Sequence, residues 1–408
     1  MNAILRRTET MGILLTLSAS FACSHPVTKV SNSWNSKTAA TYLDYRENWW
    51  AGWMGSARDH GTFCVSCHTA MPYALARPAL RRSLGESGLS ADEQKLLEDV
   101  RKRVRMWSEI SPYYSDHSYV GKTAESSGTE SVLNALILAN HDAELGQLSD
   151  DTRLAFDNMW SLQRRDGDGK GAWPWLQFDE EPWEANGSCY YGAALAALAV
   201  GIAPDGYSST PAIQSQLSLL RNYLTSEEPT QSTLSRVYLL WASTKLPGLL
   251  TAEQQKLMIQ EVLHRQQEDG GWRLASIAWT WRHWSARSLI QMWLRADGTP
   301  MEGKSDGVAT GLTTLVLQEL GVPRENAQLR KGLLWLRSNQ GPEGSWPASS
   351  LNKKRKLGSE TGRFMSDAAT AFAVMSLSRY QELQLSEFPS RKASDPRPRM
   401  NAAGGLSF

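Results

Sequence analysis

The feature that most constrains this chain is a regular alternation of two kinds of helical segment, which begins near residue 91. Segments of the first kind have one polar and one apolar face, which suits a helix with one side in water. They span residues 92–107, 151–164, 213–224, 252–267 and 325–338. Segments of the second kind are rich in small residues and apolar almost all round, which suits buried helices. They span residues 129–140, 188–200, 233–243, 307–320 and 367–377. Such alternation is typical of repeat proteins and predicts an all-α fold.

Three of the polar-faced segments end in a similar turn, in which a Gln near the helix end is followed by Gly and then by Trp. A Gln amide can bond backbone groups at a helix end, Gly permits a tight turn, and Trp can pack over that turn. We therefore interpret these residues as structural rather than catalytic. The three sets are Gln163, Gly171 and Trp173; Gln266, Gln267, Gly271 and Trp272; and Gln340, Gly344 and Trp346.

These turns resemble the QW repeats of squalene-hopene and oxidosqualene cyclases and, more distantly, the related barrels of protein prenyltransferase β-subunits. The best copy is the stretch 331–336, which leads to Gln340 and Trp346. The resemblance covers about residues 91–381. It implies an α/α toroid over residues 91–385, in which a ring of inner helices is surrounded by outer helices and encloses an apolar cavity.

Cyclases of the second class protonate a double bond with the middle Asp of a D-x-D-D motif, and this chain contains no such motif. Asp306 and Asp367 each stand at the beginning of an apolar segment. They are interpreted either as N-caps of the helices that follow or as residues at the mouth of the cavity. They are the candidate catalytic residues, and the sequence leaves open whether the toroid is catalytic at all.

The predicted cavity would take a largely apolar ligand, which the resemblance suggests is isoprenoid or quinone-like. Asp306, Asp367 and the pair Trp173 and Trp175 are expected at its rim. Gly311 and Ala371 are expected to line it, because small side chains on different inner helices leave space between them.

The sharpest chemical signal is the sequence Cys-Val-Ser-Cys-His at residues 64–68, which matches the haem-attachment motif of c-type cytochromes. Cys64 and Cys67 could each add to one vinyl group of a haem, and His68 could then bind the iron. This predicts one covalent haem c per chain, with a redox disulfide or half of a zinc site as alternatives. No sequence signal selects the second axial ligand among the nearby donors Met54, His60, Met71, Met106 and His117.

The N-terminus has the pattern of a secretory signal peptide, because Arg6 and Arg7 are followed by an uncharged apolar stretch at residues 11–22. Cleavage after residue 22 would leave Cys23 at the new N-terminus, where it could carry a lipid. The protein is therefore expected to be exported, as a periplasmic protein or a membrane-anchored lipoprotein. The remaining predicted regions are a polar linker (23–48), a haem-attachment segment (49–90) and a disordered tail (386–408).

Charge excludes one class of partner. The chain has 43 Lys and Arg against 42 Asp and Glu, so it lacks the basic field of a nucleic-acid-binding protein. The expected partners are a redox protein or an apolar small molecule, with membrane contact only through a lipid on Cys23. Three functions remain open: redox chemistry at a haem beside an apolar ligand, a cyclase-like enzyme with a degenerate acid site, and a scaffold in an electron-transfer complex.

Overall fold

The computed structural model of the chain describes residues 34–117, 120–278, 304–353, 355–356 and 358–387. These residues form thirteen α-helices and one two-stranded antiparallel sheet. The predicted signal peptide, Cys23 and residues 388–408 lie outside this range. The helices are α1 (Ser36–Gly52), α2 (Ala70–Leu84), α3 (Ala91–Arg105), α4 (Lys122–Leu145), α5 (Asp150–Ser161), α6 (Ser188–Ile202), α7 (Gln214–Glu227), α8 (Thr233–Lys245), α9 (Ala252–His264), α10 (Leu274–Ala278), α11 (Gly307–Glu319), α12 (Ala327–Ser338) and α13 (Phe364–Glu387). The strands are β1 (Ala57–Arg58) and β2 (Thr62–Phe63).

All ten helices predicted from the alternation are present, so the chain is all-α as expected. Side-chain caps fix where several of them begin. The Ser90 hydroxyl accepts a bond from the backbone N–H of Glu93, whose carboxylate bonds back to the Ser90 N–H, and Thr251 and Gln254 form the same reciprocal box. Among the described residues, no helix is long and apolar enough to cross a bilayer.

Packing divides the long helices into two sets. In the first, which we call the closed set, α2 packs against α4, α4 against α6, α6 against α8, α8 against α11, α11 against α13, and α13 against α2. The second, which we call the covering set, consists of α1, α3, α5, α7, α9 and α12, each of which packs against members of the closed set. Side chains of α6 and α11 are buried on nearly all faces, as their apolar sequences predicted.

The Gln-Gly-Trp turns join neighbouring members of the covering set. In each turn the Gln side-chain amide donates to the carbonyl of a Gly in its own turn and to a backbone carbonyl at the start of another covering helix. Gln163 thus bonds Gly171 and Gln216 (both 3.0 Å), Gln266 bonds Gly270 and Gln328 (both 2.7 Å), and Gln340 bonds Gly344 (3.1 Å) and Asn35 (3.0 Å). The third turn therefore reaches the residue that caps α1.

The Trp of each turn is fully buried and fixes the turn to the helix before it. Its indole N–H donates to a backbone carbonyl near the end of that helix: Met159 for Trp173 (2.6 Å), Val262 for Trp272 (2.7 Å) and Leu336 for Trp346 (2.7 Å). The structural interpretation of these residues is consistent with these contacts.

The N-terminal part of the described chain differs from the expected linker over 23–48 and separate segment over 49–90. Residues 36–52 form α1, a member of the covering set, and α2 belongs to the closed set. The apolar periodicity of α1 is weak because Arg46 and Glu47 are both buried on it. A buried ion pair to Asp367 compensates Arg46, and this partner lies 321 residues further along the chain.

Candidate functional site at the start of helix α2

Cys64, Cys67 and His68 lie in the short connection between β2 and α2. The backbone N–H of Cys64 donates to Ser56 (2.8 Å), and its carbonyl accepts from the indole of Trp50 (2.6 Å). The Ser66 hydroxyl accepts from the backbone N–H groups of Thr69 (3.2 Å) and Ala70 (3.1 Å). These bonds fix the connection and satisfy donors at the start of α2.

Both cysteines of the motif are buried free thiols. Burial raises the pKa of Cys64 to about 12 and also raises that of Cys67. The two thiols are therefore neutral in this fold, which makes them weaker nucleophiles than thiolates. No disulfide joins them in this structure.

The imidazole of His68 is held in one tautomer. Its Nδ1 lies 2.8 Å from the hydroxyl oxygen of Thr69, and that hydroxyl donates to the carboxylate of Asp367 at 2.8 Å. Because the hydroxyl proton is directed at Asp367, the hydroxyl oxygen accepts from Nδ1–H, and Nε2 keeps a free lone pair. Burial, assisted by Arg355 and Arg46, lowers the pKa of His68 to about 3, so the ring is neutral.

Asp367 is the centre of a buried polar cluster. Its carboxylate accepts from Arg46 Nε (2.7 Å), from Arg46 Nη2 (3.0 Å) and from the Tyr42 hydroxyl (2.9 Å), in addition to Thr69. Burial raises the pKa of Asp367 to about 6, although the bonds from Arg46 oppose this change. Asp367 lies inside the first turn of α13 and is therefore not the N-cap of that helix. It does not line the motif cavity described below.

A cavity of about 70 Å³ adjoins Cys67 and His68 and is called here the motif cavity. Phe364, which stacks on the His68 ring with centroids 4.1 Å apart, and the neighbouring Met365 contribute to its wall. Other lining residues come from two loops and include Glu181, Trp183, Glu184, Asn352 and Arg355.

Two glutamate side chains that line the motif cavity have raised pKa values. Burial raises the pKa of Glu181 to about 7, and burial together with nearby Glu180 raises that of Glu184 to about 7. Both groups are therefore able to hold or release a proton near neutral pH. No pattern in the sequence singles out Glu184, because its raised pKa comes from tertiary burial.

The other residues expected at a site lie elsewhere. Asp306 caps α11, with Oδ1 accepting from the N–H of Ala309 (2.9 Å), and it lines a different cavity of about 250 Å³. Neither Gly311 nor Ala371 lines the motif cavity or the cavity beside Asp306. A side chain added at Gly311 would collide with the backbone of α13, which explains the glycine. Trp173 and Trp175 are buried.

Among the donors expected near the haem, Met54 and His60 are exposed and Met71 is buried in α2. None of the donors named from the sequence lines the motif cavity. Within the described residues, Met365 is the methionine that does, and the sequence offered no signal for it because it lies almost 300 positions after His68.

The donor set fits a covalently attached haem. Two free thiols at the required spacing precede the neutral imidazole of His68. Its Nδ1 is already hydrogen-bonded to Thr69, and metal-bound histidines usually have such a bond at the nitrogen that does not bind the metal. The motif cavity is too small for a porphyrin, because 70 Å³ holds only about two water-sized groups, whereas pockets for larger ligands start near 300 Å³. A porphyrin would require the loops that carry Glu181 and Asn352 to stand further from His68. For the zinc alternative, no group of three or more suitable side chains comes together in the described ranges.

Comparison with known proteins adds little. No family model matches the chain, and no curated protein matches it. Two solved structures of glycosidase variants are similar to it, with 12% and 13% sequence identity, 86% of this chain and 98% of each of those chains covered, and a TM-score of 0.46 in both cases.

Proposed function

We propose that this chain is an exported haem c protein built on an α/α toroid. The toroid is supported by the packing order of the closed set, which returns from α13 to α2, and by the covering helices that pack against it. Export is supported by the apolar stretch that follows Arg6 and Arg7. The function is electron transfer at the haem, to a redox protein or to an apolar small molecule such as an isoprenoid or a quinone.

One observation carries the haem proposal. Cys64 and Cys67 are unpaired thiols in the same connection as His68, and the Thr69 bond to Nδ1 of His68 leaves Nε2 free for a metal. The thiols would hold the porphyrin edge, and His68 would be the proximal ligand. When bound, the haem supplies a one-electron redox couple.

The surrounding residues have separate roles in this proposal. Asp367 and Thr69 orient His68, while Phe364 and Trp50 pack on its face and edge, with ring centroids 4.1 and 5.0 Å away. Arg355, at the cavity wall, would provide a cation for acidic groups of the cofactor. Met365, on the same wall, would offer a thioether sulfur as a second protein ligand to the iron.

The experiment is expression of the full chain in a host that exports proteins and attaches haem c. The expected result is haem peroxidase staining on a denaturing gel and a mass increase of one haem, both lost in Cys64→Ser/Cys67→Ser. Cys189→Ser is the matched control, since the Cys189 thiol lies beside Tyr223 (3.3 Å) and away from the motif cavity. An unmodified mass for the exported wild-type protein would overturn the proposal.

A second function, acid–base catalysis in the manner of a degenerate cyclase, is favoured by the raised pKa values of Glu181 and Glu184. It predicts turnover of an unsaturated or hydroxylated substrate by protein without haem. Loss of that turnover in Glu184→Gln, with Cys64→Ser/Cys67→Ser still active, would select this function over the haem proposal.

A further inference from the structure

A third cavity, of about 270 Å³, is lined by all six helices of the closed set. Each helix contributes residues of its C-terminal half, so we call it the C-terminal cavity. Leu75, Leu198, Trp241, Leu315 and Met375 give it apolar walls. Because residues of six helices converge on one space, this cavity is a property of the whole fold rather than of one loop.

The mouth of the C-terminal cavity is charged. Its side chains are the cations Arg82, Lys245 and Arg379 and the carboxylates Glu319 and Glu382. Glu319 accepts from both Lys245 (2.5 Å) and Arg379 (2.9 Å). Glu319 is nearly buried, with 11% of its side chain exposed, whereas the side chain of Arg379 is 36% exposed.

The mouth has more cations than carboxylates in its lining. Glu382 is shared between Arg82 (3.2 Å) and Arg379 (3.7 Å), and Glu144, behind the mouth, pairs with Arg82 as well. Counted over the residues that line the cavity, three cations against two carboxylates give a net charge of +1, and Glu144 outside the lining offsets this charge at Arg82. An anionic head group with acceptor oxygens matches the excess positive charge of the lining.

Size fixes the rest of the ligand. At roughly 30 Å³ for each water-sized or methylene-sized group, 270 Å³ holds about nine such groups. A triterpene would need about three times this volume. We propose that the C-terminal cavity binds an acyl chain of about eight to ten carbons whose carboxylate head contacts Arg379 and Lys245. This inference rests on the proposed function only in assuming an apolar ligand inside the ring, and it does not depend on the haem.

The test is calorimetric titration of the purified full chain with decanoate, decanol and decyltrimethylammonium, each below its micelle concentration. We expect saturable one-to-one binding of decanoate, about tenfold weaker binding of decanol, and no binding of the cation. Arg379→Gln should weaken decanoate binding about tenfold and leave decanol binding unchanged, since only the charged head uses that side chain.

Two filling variants on different helices, Leu198→Trp and Leu315→Trp, should each abolish binding of decanoate. Leu257→Trp is the matched control, because Leu257 is 57% exposed on α9 and should accept the indole without effect. Absence of decanoate binding to the wild type, or binding unchanged in both filling variants, would overturn the site. Equal binding of decanoate and the cation would overturn the carboxylate head. Haem staining of the same samples reports separately on the proposed function.

Discussion

The Thr69 hydroxyl lies 2.8 Å from both Nδ1 of His68 and Oδ2 of Asp367, and so it connects the imidazole to a carboxylate on the last helix. The consequence is that the electronic character of His68 depends on a residue 298 positions away from Thr69. When the ring N–H that does not bind the metal donates a hydrogen bond, a metal-bound imidazole becomes a stronger electron donor.

Replacing Thr69 by Val should therefore raise the reduction potential of the bound haem while the thioether links persist. It should also lower stability by about 1–3 kcal/mol, because buried acceptors on Asp367 lose a donor. Potentiometric titration is the measurement. Thr69→Ser, which keeps the hydroxyl, should restore the wild-type potential, and an equal loss of stability with no change in potential would assign Thr69 a purely structural role.

The second prediction concerns Met365. Met365→Ala should convert the haem from six-coordinate to five-coordinate or water-ligated, because the thioether is the sixth ligand that we assign. Visible and magnetic circular dichroism spectra report the ligand set directly. Met375→Ala, on the same helix but at the C-terminal cavity, should leave the spectrum unchanged. An unaltered spectrum in Met365→Ala would show that another residue is the ligand.

The third prediction concerns the Trp of the last turn. Trp346→Ala should lower the free energy of unfolding by roughly 3–5 kcal/mol, because the indole is fully buried and donates to Leu336. Chemical denaturation measures this change. The haem spectrum of the folded fraction should not shift, and a spectral change with little loss of stability would place Trp346 in the site instead.

The fourth prediction concerns pH. Native Glu184 keeps its proton up to about pH 7, whereas an exposed glutamic acid loses it near its ordinary pKa of 4.5. Between these values the unfolded state binds fewer protons, so this group's contribution to stability falls as the pH rises. Glu184→Gln should match the wild type at about pH 4 and be more stable at about pH 8, by at most about 3 kcal/mol. The exposed Glu98→Gln should show no such gain, and a gain of equal size at the lower pH would refute the assignment to ionisation.

Local signals in the sequence predicted the ten repeat helices and the three turns, because helix periodicity and turn chemistry act between residues close in sequence. Helix α1 escaped prediction because Arg46, a charged residue, faces the core and is neutralised by carboxylates more than 300 positions away, chiefly Asp367. The role of Asp367 was not predicted for the same reason: its partners Arg46 and Thr69 are about 300 positions away, whereas its immediate neighbours in sequence suggest a helix cap. For the candidate site, the motif gave Cys64, Cys67 and His68 but not the cavity wall, which comes from three later segments.

The bonds between Gln340 and Asn35 close the described fold across 305 positions of sequence: the Asn35 N–H donates to the Gln340 side-chain oxygen at 2.7 Å, and the Gln340 amide donates back at 3.0 Å. During synthesis, α1 and α2 emerge first and cannot complete their packing until α13 arrives. Contacts of such long range make folding slow. In the finished molecule Cys64 and Cys67 are only 8% and 4% exposed. In the proposed haem protein, an attaching enzyme would therefore have to reach these thiols before the N-terminal and C-terminal helices pack together, so attachment would have to precede the last step of folding.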